Sequence, residues 1–106
     1  MSKVFLHVTV HVNRGKLAEW SSLYEKEFLP LCQIHGQRLV AVWRTTVGVY
    51  DEITDVYEFE SLADMERIRA AMSNDPKLLA TLTKIQPLSG YEVSKIMVAM
   101  PYSPMQ

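Results

Sequence analysis

Residues 4–12 alternate without exception, with Val4, Leu6, Val8, Val10 and Val12 on one side and Phe5, His7, Thr9 and His11 on the other. A period of two is that of a β-strand with one face in a core. A strand so uniformly aliphatic on one side requires an equally apolar layer to cover it. The rest of the chain supplies that layer. After a turn at Asn13-Arg14-Gly15, Leu17, Trp20, Tyr24, Phe28, Leu31 and Ile34 recur at spacings of three and four, which predicts an amphipathic helix ended by Gly36. Pro30 lies inside this pattern, so a kink or break is expected there, with a short second segment to His35.

Residues 38–47 and 53–59, rich in Val, Thr and aromatics, read as two strands joined by a roomy loop from Gly48 to Glu52. Ser61 with Asp64 resembles a capping box, and Leu62, Met65, Ile68 and Met72 carry a helical stripe behind it. Asp75-Pro76 restarts the helix, with Leu78, Leu79, Leu82 and Ile85 continuing the apolar face up to Pro87. Residues 91–100 read as a last strand stopped by Pro101. The order βαββαβ predicts an α+β, ferredoxin-like domain over residues 1–106, an antiparallel four-stranded sheet with its helices on one face.

Such a sheet leaves its other face uncovered. Phe5 and Thr9 lie there with His7 and His11, and Trp43, Val56, Tyr57 and Met97 are expected to add more apolar area than a monomer tolerates. A second copy related by two-fold symmetry is the simplest cover, so a homodimer is expected. Eleven basic against twelve acidic residues give a net charge of -1, which provides no field to gather nucleic acid or an anionic membrane. The start of the chain carries no signal-peptide pattern, and a single cysteine, Cys32, excludes an internal disulfide, so a cytoplasmic location is expected. Cys32 itself reads as a small buried hydrophobe. Neither a zinc-ligand spacing nor a phosphate-binding loop occurs, and neither a metal nor another cofactor is expected.

Five stretches resemble the NIPSNAP family: Gly15-Lys16-Leu17-Ala18-Glu19-Trp20, Leu39-Val40-Ala41-Val42-Trp43 followed by Gly48, Tyr57-Glu58-Phe59-Glu60-Ser61-Leu62, Asn74-Asp75-Pro76, and the tail Met100-Pro101-Tyr102-Ser103-Pro104-Met105. Their order and spacing carry the likeness across nearly the whole chain. The resemblance implies a dimeric α+β barrel, in which two subunits set their sheets face to face. Relatives by that fold include cofactor-free monooxygenases, a lactone isomerase and a haem-dependent chlorite dismutase. The chain departs from the family pattern at two places. Val8 and Val10 stand where many members carry an Arg-x-Tyr pair, and Asp55 and Tyr57 stand where they carry His-x-Trp.

Candidate catalytic groups are His7, His11 and Asp55. The two histidines share a strand face about 13 Å apart, too far to ligate one metal by themselves. Either one beside Asp55 has the composition of a general base oriented by a carboxylate; the competing reading is histidines satisfied in a core or interface. Asp55, set among Ile53, Val56, Tyr57 and Phe59, needs a partner or a raised pKa if buried, and Arg44 or Arg38 is a candidate partner. Trp20, Trp43, Arg44 and Tyr57 are the candidate ligand-binding residues, with the aromatics as a pocket wall between sheet and first helix; plain core packing competes. The expected function is a homodimeric small-molecule-binding protein, with cofactor-independent catalysis on a compact aromatic or unsaturated compound. The alternative is a non-catalytic dimeric scaffold or interaction module.

Overall fold

The computed structural model describes residues 3–106. Its elements run β1 (Val4–Val12), α1 (Leu17–Leu23), a π-helical turn (Tyr24–Phe28), α2 (Leu29–His35), β2 (Arg38–Arg44), β3 (Glu52–Phe59), α3 (Leu62–Ser73), α4 (Pro76–Ile85), a short 3-10 turn (Gln86–Leu88) and β4 (Ser89–Met97). The four strands form one sheet in the order β2-β3-β1-β4, every neighbouring pair antiparallel. This is the expected α+β architecture.

Register decides which side chains share a face. Leu6 pairs with Tyr57, Val8 with Asp55 and Val10 with Ile53, so these residues point toward the helices. Buried residues of the helices, among them Trp20, Tyr24, Met65, Ile68, Met72 and Leu78, close the core over this face. Ser61 caps α3 by accepting from the Asp64 backbone N–H at 3.1 Å, and Asp75 caps α4 by accepting from that of Lys77 at 2.9 Å. Each cap satisfies an amide that the first helical turn leaves without a partner.

Pro30 produces no gap in the helix. It sits in the first turn of α2, where its missing N–H costs little, and the turn before it widens so that the Leu29 N–H bonds the Tyr24 carbonyl five residues back. Gly36, at φ 92°, then ends α2 in the left-handed conformation. Two strand ends differ from expectation. β2 stops at Arg44 because Thr45 closes the hairpin, its N–H on the Glu52 carbonyl and its hydroxyl on Glu52 Oε1, both at 2.9 Å. β4 begins at Ser89 and ends at Met97, which already pairs with Phe5, next to the first residue of β1.

On the far face lie His7, paired with Val56 and Lys95, and Thr9, paired with Thr54 and Val93. Trp43 pairs with Thr54 and lies on this face too. Tyr57, expected on the far face, points into the helix layer because its register partner is Leu6.

Candidate functional site

Between the sheet and the helices lies a cavity of about 360 Å³. Val8 and Val10 of β1 floor it, and Trp20, Tyr24 and Phe28 form one wall. Those three rings stack in sequence, Trp20 on Tyr24 with centroids 4.8 Å apart and Tyr24 on Phe28 at 5.3 Å. The π-helical turn contains both Tyr24 and Phe28. Such turns recur at functional sites.

Asp55 is the polar centre of the cavity. It is 4% exposed, and Tyr24 Oη donates to its Oδ2 at 2.9 Å. Tyr24 Oη also hydrogen-bonds Tyr57 Oη. Because the Tyr24 proton goes to the carboxyl, Tyr57 donates to Tyr24, and the three groups form a chain that ends on Asp55. Asp55 Oδ1 has no hydrogen-bond partner among the described residues. Burial pushes the Asp55 carboxyl above the ordinary carboxylate range, the two tyrosine hydroxyls pull it partly back, and Glu92 across the cavity adds to the rise. Burial likewise holds Tyr24 and Tyr57 above the usual tyrosine range, so both stay protonated donors. The Cys32 thiol, also buried, is pushed up to about 12 and is no nucleophile.

A carboxyl group poised above its usual range, in an apolar cavity and with one free oxygen, has the attributes of a general acid or base. Rigid aromatic stacking and a directional hydrogen-bond chain fix its orientation. Among the described residues no group of three or more His, Cys, Asp and Glu side chains is placed to hold a metal ion.

Of the candidates named from sequence, the cavity gathers Asp55, Tyr57 and Trp20. His7 and His11 lie on the opposite face, so neither meets Asp55. Asp55 pairs with Val8, whereas His7 pairs with Val56 and His11 with Glu52. His11 stacks on Tyr91 instead, with ring centroids 5.4 Å apart. Trp43 is 60% exposed on that same far face. Arg44 pairs with Ile53 at the exposed end of β2 and lines no part of the cavity. Neither Arg44 nor Arg38 pairs with Asp55; Arg38 holds Glu58 at the surface. The residue missed was Tyr24, read only as part of an apolar helical stripe. A tyrosine hydroxyl on the buried side of a helix, facing a strand that carries an aspartate, was the available signal.

A family model, NIPSNAP, matches residues 8–104. Among solved structures, a NIPSNAP family protein of unknown function from Agrobacterium tumefaciens is 27% identical, over 99% of this chain and 95% of that one, with a TM-score of 0.91. An uncharacterized NIPSNAP domain protein from Burkholderia xenovorans is 20% identical over 95% of this chain and 98% of that one, with a TM-score of 0.89. SnoaB, a cofactor-independent oxygenase from Streptomyces nogalater, is similar in fold at 16% identity over 98% of this chain and 99% of that one, with a TM-score of 0.70. No curated protein matches the chain.

Proposed function

The chain belongs to the NIPSNAP family, and from that premise and the cavity chemistry we propose that it is a homodimeric small-molecule-binding protein. Its cavity moves a proton, without a cofactor, on a compact aromatic or unsaturated compound. One observation carries this reading: a buried carboxyl, Asp55, lines an apolar cavity with one oxygen left without a partner among the described residues while tyrosine holds the other. A buried polar atom left unsatisfied costs stability, and a ligand donor is what would repay it. In this reading Asp55 takes the proton of an activated C–H or O–H, Tyr24 steadies it, and the stacked rings receive the flat body of the compound. SnoaB's activity supports the chemistry only as an analogy of fold. Cys32, a free thiol, suits a reducing compartment, and the proposed location is the cytoplasm. Among the described residues no helix is long and apolar enough to cross a membrane.

The test is deuterium exchange. A panel of enolisable aryl ketones is incubated with the protein in heavy water, and label at the acidic carbon is read by NMR. The wild-type protein accelerates exchange for at least one compound, and Asp55→Asn loses roughly 100-fold or more of that acceleration. Equal exchange by the two proteins would remove Asp55 from the chemistry. A panel that shows no acceleration at all would move the reading to the non-catalytic scaffold.

A further inference from the structure

The two ends of the cavity differ in charge. Gln37 adjoins the start of β2 at one edge of the sheet, and Glu92 lies on β4 at the other, with Asp55 on β3 between them. Gln37 is fully buried at 1% exposure. Arg69 of α3 donates from Nη1 to Gln37 Oε1 at 3.2 Å, which fixes the amide so that its Nε2 points the other way. The partner found for that nitrogen is the Cys32 sulfur, 3.9 Å away, and a thiol is a weak acceptor. Arg69 lines the same cavity and, among the described residues, forms no ion pair, whereas its neighbour Arg67 is tied to Asp64 at 3.2 Å. Beside the start of β2, then, a guanidinium with no carboxylate partner among the described residues, exposed at the cavity edge and oriented by a buried amide oxygen, marks one corner of the cavity.

We infer that this corner is an anion subsite, and that the ligand of the cavity is a small aromatic or unsaturated carboxylic acid whose carboxylate is held by Arg69, which Gln37 positions. The inference rests on the small-molecule reading above and names the class of molecule that reading requires. A guanidinium offers a planar fork of donors that matches a carboxylate, and the bond to Gln37 occupies only one of them. With its head so anchored, the flat body of the ligand spans the cavity floor along the Trp20 and Tyr24 wall, which brings its middle toward Asp55. Glu92, at the far edge, repels the anionic head from the wrong end and so sets the direction of entry. Gln37 and Arg69 also support each other: the arginine orients the amide, and the amide keeps the guanidinium turned inward.

The experiment uses acid and amide pairs. Cinnamate, phenylacetate and hydrocinnamate are each titrated beside the matching primary amide against the wild-type protein, Arg69→Gln and Arg67→Gln, with affinities from ligand-observed NMR. The expected result is that at least one acid binds wild type roughly tenfold or more tighter than its amide. Arg69→Gln should erase that preference, with a circular dichroism spectrum and melting temperature close to wild type as the check that the variant is folded. Arg67→Gln, altered outside the cavity, should keep the preference. Equal binding of acid and amide to wild type, or a preference that survives Arg69→Gln, overturns the anion subsite but leaves a small-molecule cavity standing. If no acid and no amide binds, both readings fall.

Discussion

Asp55 is a carboxyl group that the fold makes costly to ionise. Its pKa lies above the unfolded value, chiefly through burial, so the folded protein holds that proton more tightly than the unfolded chain does. The stability linked to it is complete below the ordinary carboxylate range and is lost as pH rises through the folded pKa. Asp55→Asn keeps the shape and removes the charge. The variant should melt at the wild-type temperature in acid and be the more stable of the two near pH 8, by about 1–2 kcal/mol; parallel melting profiles across pH would refute this. Tyr24→Phe acts in the opposite direction. It removes the donor to Asp55 and the acceptor for Tyr57 together, and should destabilise by about 1–3 kcal/mol in urea unfolding. Combined with Asp55→Asn it should cost less than the sum, because the two side chains share one hydrogen-bond chain.

Helix ends show a second, oppositely signed response to pH. His35 at the end of α2 meets Asp75 at the start of α4 with Nε2 and Oδ2 2.7 Å apart. That contact, together with the amides Asp75 caps, holds its carboxyl below the ordinary range. A lowered pKa contributes stability above the unfolded value and loses it as pH falls through the folded one. Asp75→Ala should therefore lower the melting temperature most near neutrality, and the gap from wild type should narrow in acid. Ser61→Ala, which removes the cap of α3, should cost about 1 kcal/mol with no such pH dependence. Caps were legible because they are local: Ser61, Asp75 and Gly36 each act within a few residues of themselves. Strand β1 was legible over its full length for the same reason, since alternation needs no partner. The site was harder to read because it joins Tyr24 on a helix to Asp55 and Tyr57 on a strand far along the chain, a meeting that no local pattern shows. The run Ile53, Asp55, Tyr57, Phe59 already formed the more apolar side of β3 and so the helix side, which was enough to separate Asp55 from His7. The π-helical turn left only Pro30 as a trace, and a proline specifies an adjustment without specifying its form.

At the scale of the whole molecule, the chain is a slab of 42 × 36 × 19 Å. Its radius of gyration, 14.3 Å, exceeds the roughly 13 Å expected of a compact chain this long. Two layers account for the thinness: helices cover one face of the sheet and none lies on the other, where Phe5 and Val56 are buried but much of the surface stays exposed. Strand β4 is solvent-exposed from Gly90 through Met97. Its Val93 (48% exposed) and Met97 (44% exposed) share the open face with Trp43. An exposed apolar surface of this kind is the mark of a partner site, and in the proposed dimer a second copy covers it. Val93→Lys tests this, since it places a charge beside Thr9 on the exposed face without touching the core. Light scattering after size exclusion at micromolar concentration should give twice the 12.1 kDa chain mass for the wild-type protein and the single mass for the variant. A wild-type monomer would refute the dimer. Because the cavity lies on the helix side of the sheet, Val93→Lys should still distinguish acid from amide ligands as wild type does, so assembly and ligand binding are separable properties of the two faces of one sheet. A monomeric variant that folds but no longer binds would instead mean that the second copy shapes the cavity through the sheet.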